Sequence, residues 1–231
     1  MTSSAILIPA RYHSTRFPGK PLCMLDGKTM IQRVVEACKQ TDYDVYVLTD
    51  HKSIAQAAQA AGADFFIDSE PYENGTERVA GAIRSRKFNE YDQFVNVQGD
   101  MPDVTPECID KCMWHLKNYP VTTVFTEMPE AMQNDPNSVK LVRAGDQALW
   151  FGRGMTGYGD WHLGVYGYKL NPLHMYHRLN VTKEERVEKL EQLRWLKSGW
   201  QIGCLSVYFN GVEINSPEDV NEWHEKREKV H

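Results

Sequence analysis

The first half of the chain alternates short apolar runs with amphipathic segments, and this alternation constrains the fold more than any other feature. The apolar runs suit buried strands, whereas in the amphipathic segments apolar residues recur every three or four positions, as on one face of a helix. The predicted strands are residues 5–9, 44–49, 64–67 and 93–97, and the predicted helices are residues 30–40, 53–61, 77–86 and 105–117. Short connections between them predict an α/β fold with a mainly parallel sheet and helices on both faces.

The second half of the chain is richer in strand patterns and has fewer helices. Predicted strands occupy residues 121–126, 139–144, 148–152, 163–168 and 202–208, and a long amphipathic helix is predicted for residues 183–197. Residues 145–147 have the composition of a hairpin turn, and the glycine-rich residues 153–162 indicate a mobile loop. Ser216, followed by Pro217 and two acids, predicts the start of a final helix.

Length and composition narrow the class of protein. With 231 residues the chain suits a single domain over residues 1–231. The net charge of −5 argues against a nucleic-acid binder, and no apolar run reaches the length of a membrane helix. Residues 1–4 lack the charge of a secretory signal. The five cysteines are scattered, and Cys108 and Cys112 suit the core side of a helix, so we expect reduced thiols in a cytoplasmic protein.

Cations cluster in the loop that follows the first predicted strand. Arg11, Arg16 and Lys20 lie close together among small or hydroxylated residues, which are Ser14, Thr15 and Gly19. Arginine binds phosphate through two parallel hydrogen bonds, and backbone N–H groups beside small residues approach phosphate closely. The loop therefore indicates a site for a polyanion such as a nucleoside triphosphate. A solvated basic loop is the alternative.

Polar residues also follow two other predicted strands at their carboxyl ends, where ligands bind in open α/β sheets. Gln98, Gly99 and Asp100 follow residues 93–97, and the carboxylate suits a divalent cation on a triphosphate. Residues 49–51, Thr-Asp-His, end an earlier strand. Because these strands are predicted to be parallel, their ends and the basic loop should converge on one edge of the sheet. A turn aspartate and an ordinary strand-to-helix turn are the alternatives.

A further polar segment, Asn-Gly-Thr-Glu-Arg at residues 74–78, opens a predicted helix. Its backbone amides and side chains suit contacts to the edge of a nucleobase. Capping of the helix explains the same residues at least as well. The chain contains neither a P-loop sequence nor a GxGxxG sequence, so a nucleotide would be held by another arrangement.

Seven segments identify a family when they are taken in order: IPARYHSTRFPGKPL, TDH, NGTERVA, VNVQGDMP, HLGVYGYK, LEQLRWL and INSPEDV. Together they resemble the 3-deoxy-manno-octulosonate cytidylyltransferases from about residue 6 to residue 220. The resemblance implies a three-layer, open, mixed but mostly parallel sheet of the nucleotide-diphospho-sugar transferase type. A small subdomain at about residues 120–200 would serve sugar binding and dimerisation. CTP and a 2-keto-3-deoxy sugar acid would be substrates, Mg²⁺ the cofactor, and a homodimer the assembly.

The same resemblance implies roles for individual residues. The triphosphate would be bound by Arg11, Ser14, Arg16 and Lys20. The cytosine side would be lined by Asn74, Gly75 and Arg78, with Asn74 where the family more often has serine. The sugar acid would be bound by Gln98, Arg153, His162, Tyr166, Glu191 and Gln192. Catalysis by positioning and charge neutralisation would rest on Lys20, Arg16 and Asp100, with Asp100 facing Mg²⁺. Without the resemblance, a buried histidine hydrogen-bonded within the sheet is the better interpretation of His162.

Four departures from the family pattern lie near the implied site. Asn215 stands where the family has a metal-binding aspartate, and an amide is a weaker ligand for a hard cation. We hypothesise that Glu213, two residues earlier on an extended segment, takes over part of the ligation. Residues 152–157 replace a proline-stiffened stretch with a glycine loop, Met101 replaces an acid and Tyr72 replaces a histidine.

These departures leave several functions open. The expected reaction is CTP plus a sugar acid giving a CMP-sugar and pyrophosphate, with 3-deoxy-manno-octulosonate or a close relative such as an 8-amino derivative as acceptor. A catalytically weakened nucleotide-binding paralogue and a nucleotidylyltransferase for another sugar acid or base are alternatives. A glycosyltransferase of this fold is disfavoured, because no Asp-x-Asp triplet ends a predicted strand.

Overall fold

The computed structural model describes residues 3–14 and 16–229, so Thr15 of the predicted anion loop lies outside the described residues. The strands are β1 Ser4–Ala10, β2 Met24–Leu25, β3 Lys28–Thr29, β4 Asp44–Thr49, β5 Asp64–Ile67, β6 Gln93–Val97, β7 Val121–Thr126, β8 Lys140–Ala144, β9 Gln147–Gly152, β10 Asp160–Lys169 and β11 Ile202–Ser206. The α-helices are α1 Met30–Cys38, α2 Lys52–Ala60, α3 Gly75–Ala82, α4 Pro106–His115, α5 Leu170–Tyr176, α6 Lys183–Glu188, α7 Leu193–Lys197 and α8 Pro217–Glu228. The predicted α/β class with a mixed sheet is confirmed.

The chain divides into two compact units, with one boundary inside β6. The first unit contains residues 4–82, 96–106 and 209–229, apart from Thr15, and the second contains residues 83–95 and 107–208 together with Ser3. The extent of a single catalytic domain stays a prediction.

The first unit is built on the predicted parallel strands. Strand β1 pairs with β4 in parallel, and β4 pairs in parallel with β5. The end of β6 lies on the other side of β1. Residues 5–8 of β1 are fully buried, as expected for a strand of a parallel sheet that is covered on both faces. Pairing of Ala10 with Thr49 brings the ends of β1 and β4 to the same edge.

The second unit contains the mixed part of the structure. Strand β10 pairs antiparallel with β7, which pairs in parallel with β11, and β8 and β9 form the predicted hairpin. A register shift between Leu163 and Tyr166 interrupts the pairing of β10 with β7. Strand β10 begins at Asp160, so the glycine-rich connection before it is shorter than predicted.

The prediction of one long helix at residues 183–197 is wrong. Helix α6 ends at Glu188; the next residue, Lys189, adopts a left-handed conformation with φ 54° and ψ 46°, and α7 begins only at Leu193. A non-glycine residue in this conformation is strained. Arg194 of α7 forms a bidentate ion pair with buried Glu185 of α6 across this turn, with its Nη2 2.5 Å from Oε1 and its Nε 3.0 Å from Oε2.

The cysteines and the helix lengths among the described residues can be compared with the predictions from composition. The five cysteines are free thiols, and Cys108 and Cys112 are buried on α4, as expected. None of the described helices is long and apolar enough to span a membrane.

Candidate active site

The loop after β1 is folded back onto the end of β4. Gly19 closes the loop, since its N–H donates to the carbonyl of Tyr12 at 3.0 Å and its φ of +69° suits glycine. The N–H of Tyr12 donates to Asp50 Oδ1 at 2.9 Å, and the Tyr12 ring stacks on His51 at 4.1 Å. The predicted convergence of the basic loop with the end of β4 is therefore confirmed.

An open cleft with about 820 Å³ of unfilled space lies at this edge of the first unit. The predicted residues that line it are Arg11, Ser14, Arg16, Lys20, Asn74, Gly75, Arg78, Gln98, Asp100 and Asn215. Glu213 is half-buried and is not one of the lining residues. Four cations thus face one cleft in a chain whose net charge is negative, which suits a polyanionic ligand.

Lys20 and Asp100 form an ion pair inside the cleft. Lys20 Nζ lies 2.7 Å from Asp100 Oδ2 and also donates to the carbonyl of Ile214 at 3.0 Å. The backbone of Asp100 is paired with the same segment, because its carbonyl accepts from the N–H of Ile214 at 3.0 Å. A cation suited to phosphate and a carboxylate suited to a metal ion are therefore paired with each other in the cleft.

Asn215 faces the basic loop from the segment before α8. Its Oδ1 accepts from Arg16 Nη2 at 3.4 Å. Its backbone N–H donates to Asp219 Oδ2 at 2.7 Å, and the N–H of Ser216 donates to the same oxygen at 2.9 Å. The predicted helix start at Ser216 is confirmed, and this capping fixes the backbone from which Asn215 projects.

Arg78 is held in the cleft wall by neighbouring polar groups. Only 5% of the residue is exposed, and burial lowers the pKa of its guanidinium while Asp50, 3.6 Å away, opposes this. Arg78 donates to the carbonyl of Asp68 at 3.1 Å and lies 5.2 Å from the ring of Tyr72. The Tyr72 hydroxyl donates to Asp68 Oδ2 at 2.7 Å. Tyr72, which replaces a histidine of the family pattern, is thus part of the cleft wall.

Two glycines allow the backbone to approach the ends of the strands. A Cβ on Gly75 would lie 3.1 Å from Gln98 Oε1, and a Cβ on Gly99 would lie 3.0 Å from the carbonyl of Pro9. Asn74 caps α3, since its Oδ1 accepts from the N–H of Glu77 at 2.8 Å. The capping interpretation of residues 74–78 is confirmed, and contact with a nucleobase stays a prediction.

His162 is a buried residue of β10 in the second unit. Its Nε2 lies 2.9 Å from Thr123 Oγ1. The Thr123 hydroxyl donates to the carbonyl of Val165 at 2.7 Å, so its oxygen is left to accept from Nε2–H. Burial, aided by the charge of Arg153, lowers the pKa of His162 to about 3. The imidazole is therefore neutral and acts as a hydrogen-bonding group.

The glycine loop after β9 is tied down by two residues that the sequence did not single out. Glu188 Oε2 accepts from the N–H of Arg153 at 2.7 Å and from the N–H of Gly154 at 3.4 Å. Lys140 is fully buried, and its ammonium donates to the carbonyls of Asp135, Ser138 and Arg153. Burial lowers the pKa of Lys140. These contacts hold the start of the loop at Arg153 and Gly154.

The remaining predicted sugar-side residues lie on β10 and next to α7. Tyr166 is buried, and its pKa is raised by burial and by the charge of Glu191. The carbonyl of Glu191 accepts from the Tyr176 hydroxyl at 3.2 Å. Gln192 is 1% exposed, and its Nε2 has no hydrogen-bond partner among the described residues. An unpaired buried donor is costly.

Comparison with known proteins decides the family. A profile described as cytidylyltransferase matches residues 5–202. The chain belongs to the cytidylyltransferase family. Similar curated cytidylyltransferases are the 8-amino-3,8-dideoxy-manno-octulosonate cytidylyltransferases of Shewanella halifaxensis, with 36% identity, and of Shewanella piezotolerans, with 37% identity. Each alignment covers 93% of this chain and 94% of the relative.

Solved structures agree with this family. A CMP:2-keto-3-deoxy-manno-octonic acid synthetase complexed with CTP matches over 100% of both chains, with 30% identity and a TM-score of 0.91. A UDP-glucose pyrophosphorylase complexed with UDP-glucose matches over 100% of both chains, with 12% identity and a TM-score of 0.75, which shows the shared fold alone. The cytidylyltransferase is therefore a CTP-dependent nucleotidyltransferase with the fold of the nucleotide-sugar enzymes.

Some residues of this cytidylyltransferase have roles that differ from the expectation. Met101, which replaces an acid of the family pattern, is fully buried and belongs to the core. Lys140 and Glu188 were missed because their partners are backbone groups, which leave no pattern in a sequence. A buried-strand context around Lys140 was the one available signal, since a lysine in a predicted strand needs acceptors.

Proposed function

We propose that the protein transfers a cytidylyl group from CTP to a 2-keto-3-deoxy sugar acid, giving a CMP-sugar and pyrophosphate. The observation that carries this proposal is the cleft that gathers Arg11, Arg16 and Lys20 around Asp100 at the ends of β1 and β6. The 8-amino-3,8-dideoxy form of manno-octulosonate is the first acceptor to test, because it is the substrate named for the relatives. 3-Deoxy-manno-octulosonate is the second.

The chemistry follows from charge and position. The anomeric hydroxyl of the sugar acid attacks the α-phosphorus of CTP, and the bond to the β-phosphate oxygen breaks as pyrophosphate leaves. Arg11, Arg16 and Lys20 offset the negative charge of the triphosphate and of the leaving group. Lys20 exchanges its pairing with Asp100, 2.7 Å away, for contacts with the phosphates. The chain contributes positioning and electrostatics.

The cleft fits Mg²⁺ as the proposed cofactor. Asp100 and Asn215 offer a carboxylate and an amide oxygen, the hard donors that Mg²⁺ prefers. Among the described residues no group of three His, Cys, Asp or Glu side chains is placed to hold a metal ion. Mg²⁺ is typically held by one or two carboxylates with substrate phosphates and water, so this donor set suffices. When bound, the ion would neutralise phosphate charge.

Glu213 is the candidate for a second carboxylate ligand of Mg²⁺, because Asn215 replaces the aspartate of the family pattern. We infer that Glu213, which is not one of the cleft-lining residues, contributes to Mg²⁺ binding in the nucleotide complex, since it lies two residues before Asn215. The variant Glu213→Ala is expected to need about tenfold more Mg²⁺ for half-maximal Mg²⁺–CTP binding in calorimetric titrations. Glu222→Ala, an exposed acid of α8, is the control. An unchanged Mg²⁺ requirement in Glu213→Ala contradicts the inference.

The sugar acid is assigned to Gln98, Arg153, His162, Tyr166, Glu191 and Gln192. Neutral His162 and the unpaired Nε2 of Gln192 support this assignment as hydrogen-bonding groups. The Arg153 guanidinium suits the substrate carboxylate. A homodimer in the cytoplasm and a role in lipopolysaccharide biosynthesis complete the proposal, and free thiols support the cytoplasmic setting.

A pyrophosphate-release assay tests the proposed function. The protein is incubated with CTP, Mg²⁺ and a panel of 2-keto-3-deoxy sugar acids that includes the 8-amino form, and UTP serves as the nucleotide control. Release is expected with CTP and at least one octulosonate, and Lys20→Met is expected to abolish it. CTP binding without release from any sugar acid would identify a binding paralogue instead.

A further inference from the structure

Asp103 is the second carboxylate of the loop after β6 and lies three residues after Asp100. It does not line the cleft, yet it accepts three hydrogen bonds from the C-terminal part of the first unit. Its Oδ2 accepts from the N–H of Val212 at 3.1 Å, and its Oδ1 accepts from Trp223 Nε1 at 3.0 Å and from Arg227 Nη2 at 3.4 Å. One carboxylate thus joins the chain before α8 to α8 itself.

Trp223 is the buried residue of α8 and forms the other half of this arrangement. The residue is 1% exposed and packs in a core cluster with Leu25, Met30, Val212 and Ile214. The guanidinium of Arg33 lies 5.0 Å from the centre of its ring, and that of Arg227 lies 4.2 Å from it. The indole is therefore held in place, and its N–H has Asp103 as a fixed partner.

Gly211 lets the chain pass close to Asp103. A Cβ at this position would lie 2.6 Å from the Cβ of Asp103 and 2.5 Å from the ring of Phe209. Real Cβ atoms do not approach other atoms so closely, so the segment follows this path only with glycine there. The path and the hydrogen bond to Val212 fix residues 209–215, which we call the anchored segment.

The anchored segment carries two groups into the cleft. The N–H of Ile214 donates to the carbonyl of Asp100, and the carbonyl of Ile214 accepts from Lys20 Nζ, each at 3.0 Å. Asn215 comes next and faces Arg16. Because Val212 lies two residues before Ile214, a shift of Val212 is transmitted to both groups along a short stretch of chain.

We propose that Asp103 is a positioning residue for the nucleotide site: it holds the anchored segment so that Ile214 and Asn215 orient Lys20 and Arg16 toward the triphosphate. The identity of the ligand, CTP, rests on the proposed function. Asp103 acts through the backbone of residues 212–215 and does not itself touch the nucleotide. Its contacts are with the anchored segment and α8, and its effect is on the orientation of Lys20 and Arg16.

The variant Asp103→Asn tests the proposal with minimal change of shape. Its amide retains one acceptor oxygen and turns an NH₂ group toward a backbone or indole N–H, so one of these hydrogen bonds is lost. Hydrogen exchange of residues 209–215 is expected to be about tenfold faster. The dissociation constant of CTP, measured by calorimetry, is expected to rise about tenfold, and KM for the sugar acid is expected to stay unchanged.

Asp26→Asn is the matched control. Asp26 contacts α8 and Arg33, the other arginine beside the Trp223 ring, with His224 Nδ1 at 3.0 Å and Arg33 Nη2 at 3.7 Å from its carboxylate, but it is not bonded to Val212. The change removes the same charge, and asparagine tolerates the positive φ of 45° at this position. Exchange of the anchored segment and CTP affinity are expected to equal those of the wild type.

Trp223→Phe serves if Asp103→Asn does not fold, because it keeps an aromatic ring in the core cluster and removes the indole N–H together with the larger ring system. It is expected to move exchange and CTP affinity in the same direction and to a smaller extent. Unchanged exchange of residues 209–215 in the folded variants overturns the anchor, and faster exchange with wild-type CTP affinity overturns the positioning role. A wild-type protein that binds no CTP refutes the proposed function instead, and exchange still decides the anchor.

Discussion

Tyr72 and Gly81 show how one residue sets the identity of another in the cleft wall. A Cβ at Gly81 would overlap the hydroxyl and the ring of Tyr72, with Cε1 only 2.7 Å away. The same hydroxyl donates to Asp68, and the ring packs beside Arg78. Gly81 lies inside α3, where glycine normally weakens a helix. Its presence is therefore explained by the space that Tyr72 occupies.

Gly81→Ala is expected to reverse the usual effect of this change in a helix. Alanine at an unhindered helical position stabilises by about 0.5–1 kcal/mol, whereas here displacement of Tyr72 should lower the free energy of unfolding by about 1–3 kcal/mol. Urea unfolding measures the change. In the double variant with Tyr72→Ala the penalty should disappear, and additive losses from the two substitutions would show that they do not interact.

At the scale of elements, the break between α6 and α7 is held by two ion pairs of different burial. Glu185 and Arg194 are almost fully buried, whereas Glu184 and Lys197, 2.9 Å apart, are exposed. The buried pair lies across the left-handed turn at Lys189. Removal of one partner of a buried pair leaves the other charge without compensation, whereas exposed pairs are screened by water.

Glu185→Gln is expected to lower the free energy of unfolding by about 3 kcal/mol, because Arg194 then remains charged in a buried place. Lys197→Gln removes the exposed pair between the same two helices and is expected to leave the free energy of unfolding unchanged. Thermal and urea unfolding of both variants provide the comparison. Similar losses in both variants would mean that burial does not decide the strength of these pairs.

At the scale of the whole molecule, buried neutral histidine makes stability depend on pH. The folded-state pKa of His162, about 3, lies below the ordinary value of 6.5. The unfolded chain therefore takes up a proton below pH 6.5, whereas the folded protein takes it up only at about pH 3. The free energy of unfolding therefore decreases as the pH is lowered from 6.5 to 3. Burial also lowers the pKa of His115, which acts in the same direction.

The contribution of His162 can be isolated by substitution. Between pH 7 and pH 5 this group alone should lower the free energy of unfolding by about 2 kcal/mol. His162→Gln keeps a donor for Thr123 without a titrating ring, so its unfolding free energy should fall by about that much less over the same range. Equal pH slopes in the variant and the wild type would show that His162 takes up its proton over the same pH range in the folded and unfolded states, which contradicts a lowered pKa.

Some contacts of the molecule were predictable from the sequence and others were not. The meeting of Arg11, Lys20 and Asp100 was predictable, because the carboxyl ends of parallel strands share one edge. The break at Lys189 was not, because the helical periodicity of its neighbours continues across it. Asp103 was not predictable as an anchor either, since its partner Val212 contributes only a backbone N–H.

By itself, the sequence determined the α/β class, the first strands and helices, the cytidylyltransferase family and the convergence of the triphosphate cations on one edge. These follow from periodicity, from capping residues and from the geometry of parallel strands, which all act over short stretches of chain. Only the tertiary structure decided that Lys20 pairs with Asp100 and Ile214, that Asp103 anchors residues 209–215 and that His162 is neutral. The physical reason is that these depend on burial and on contacts between residues distant in sequence.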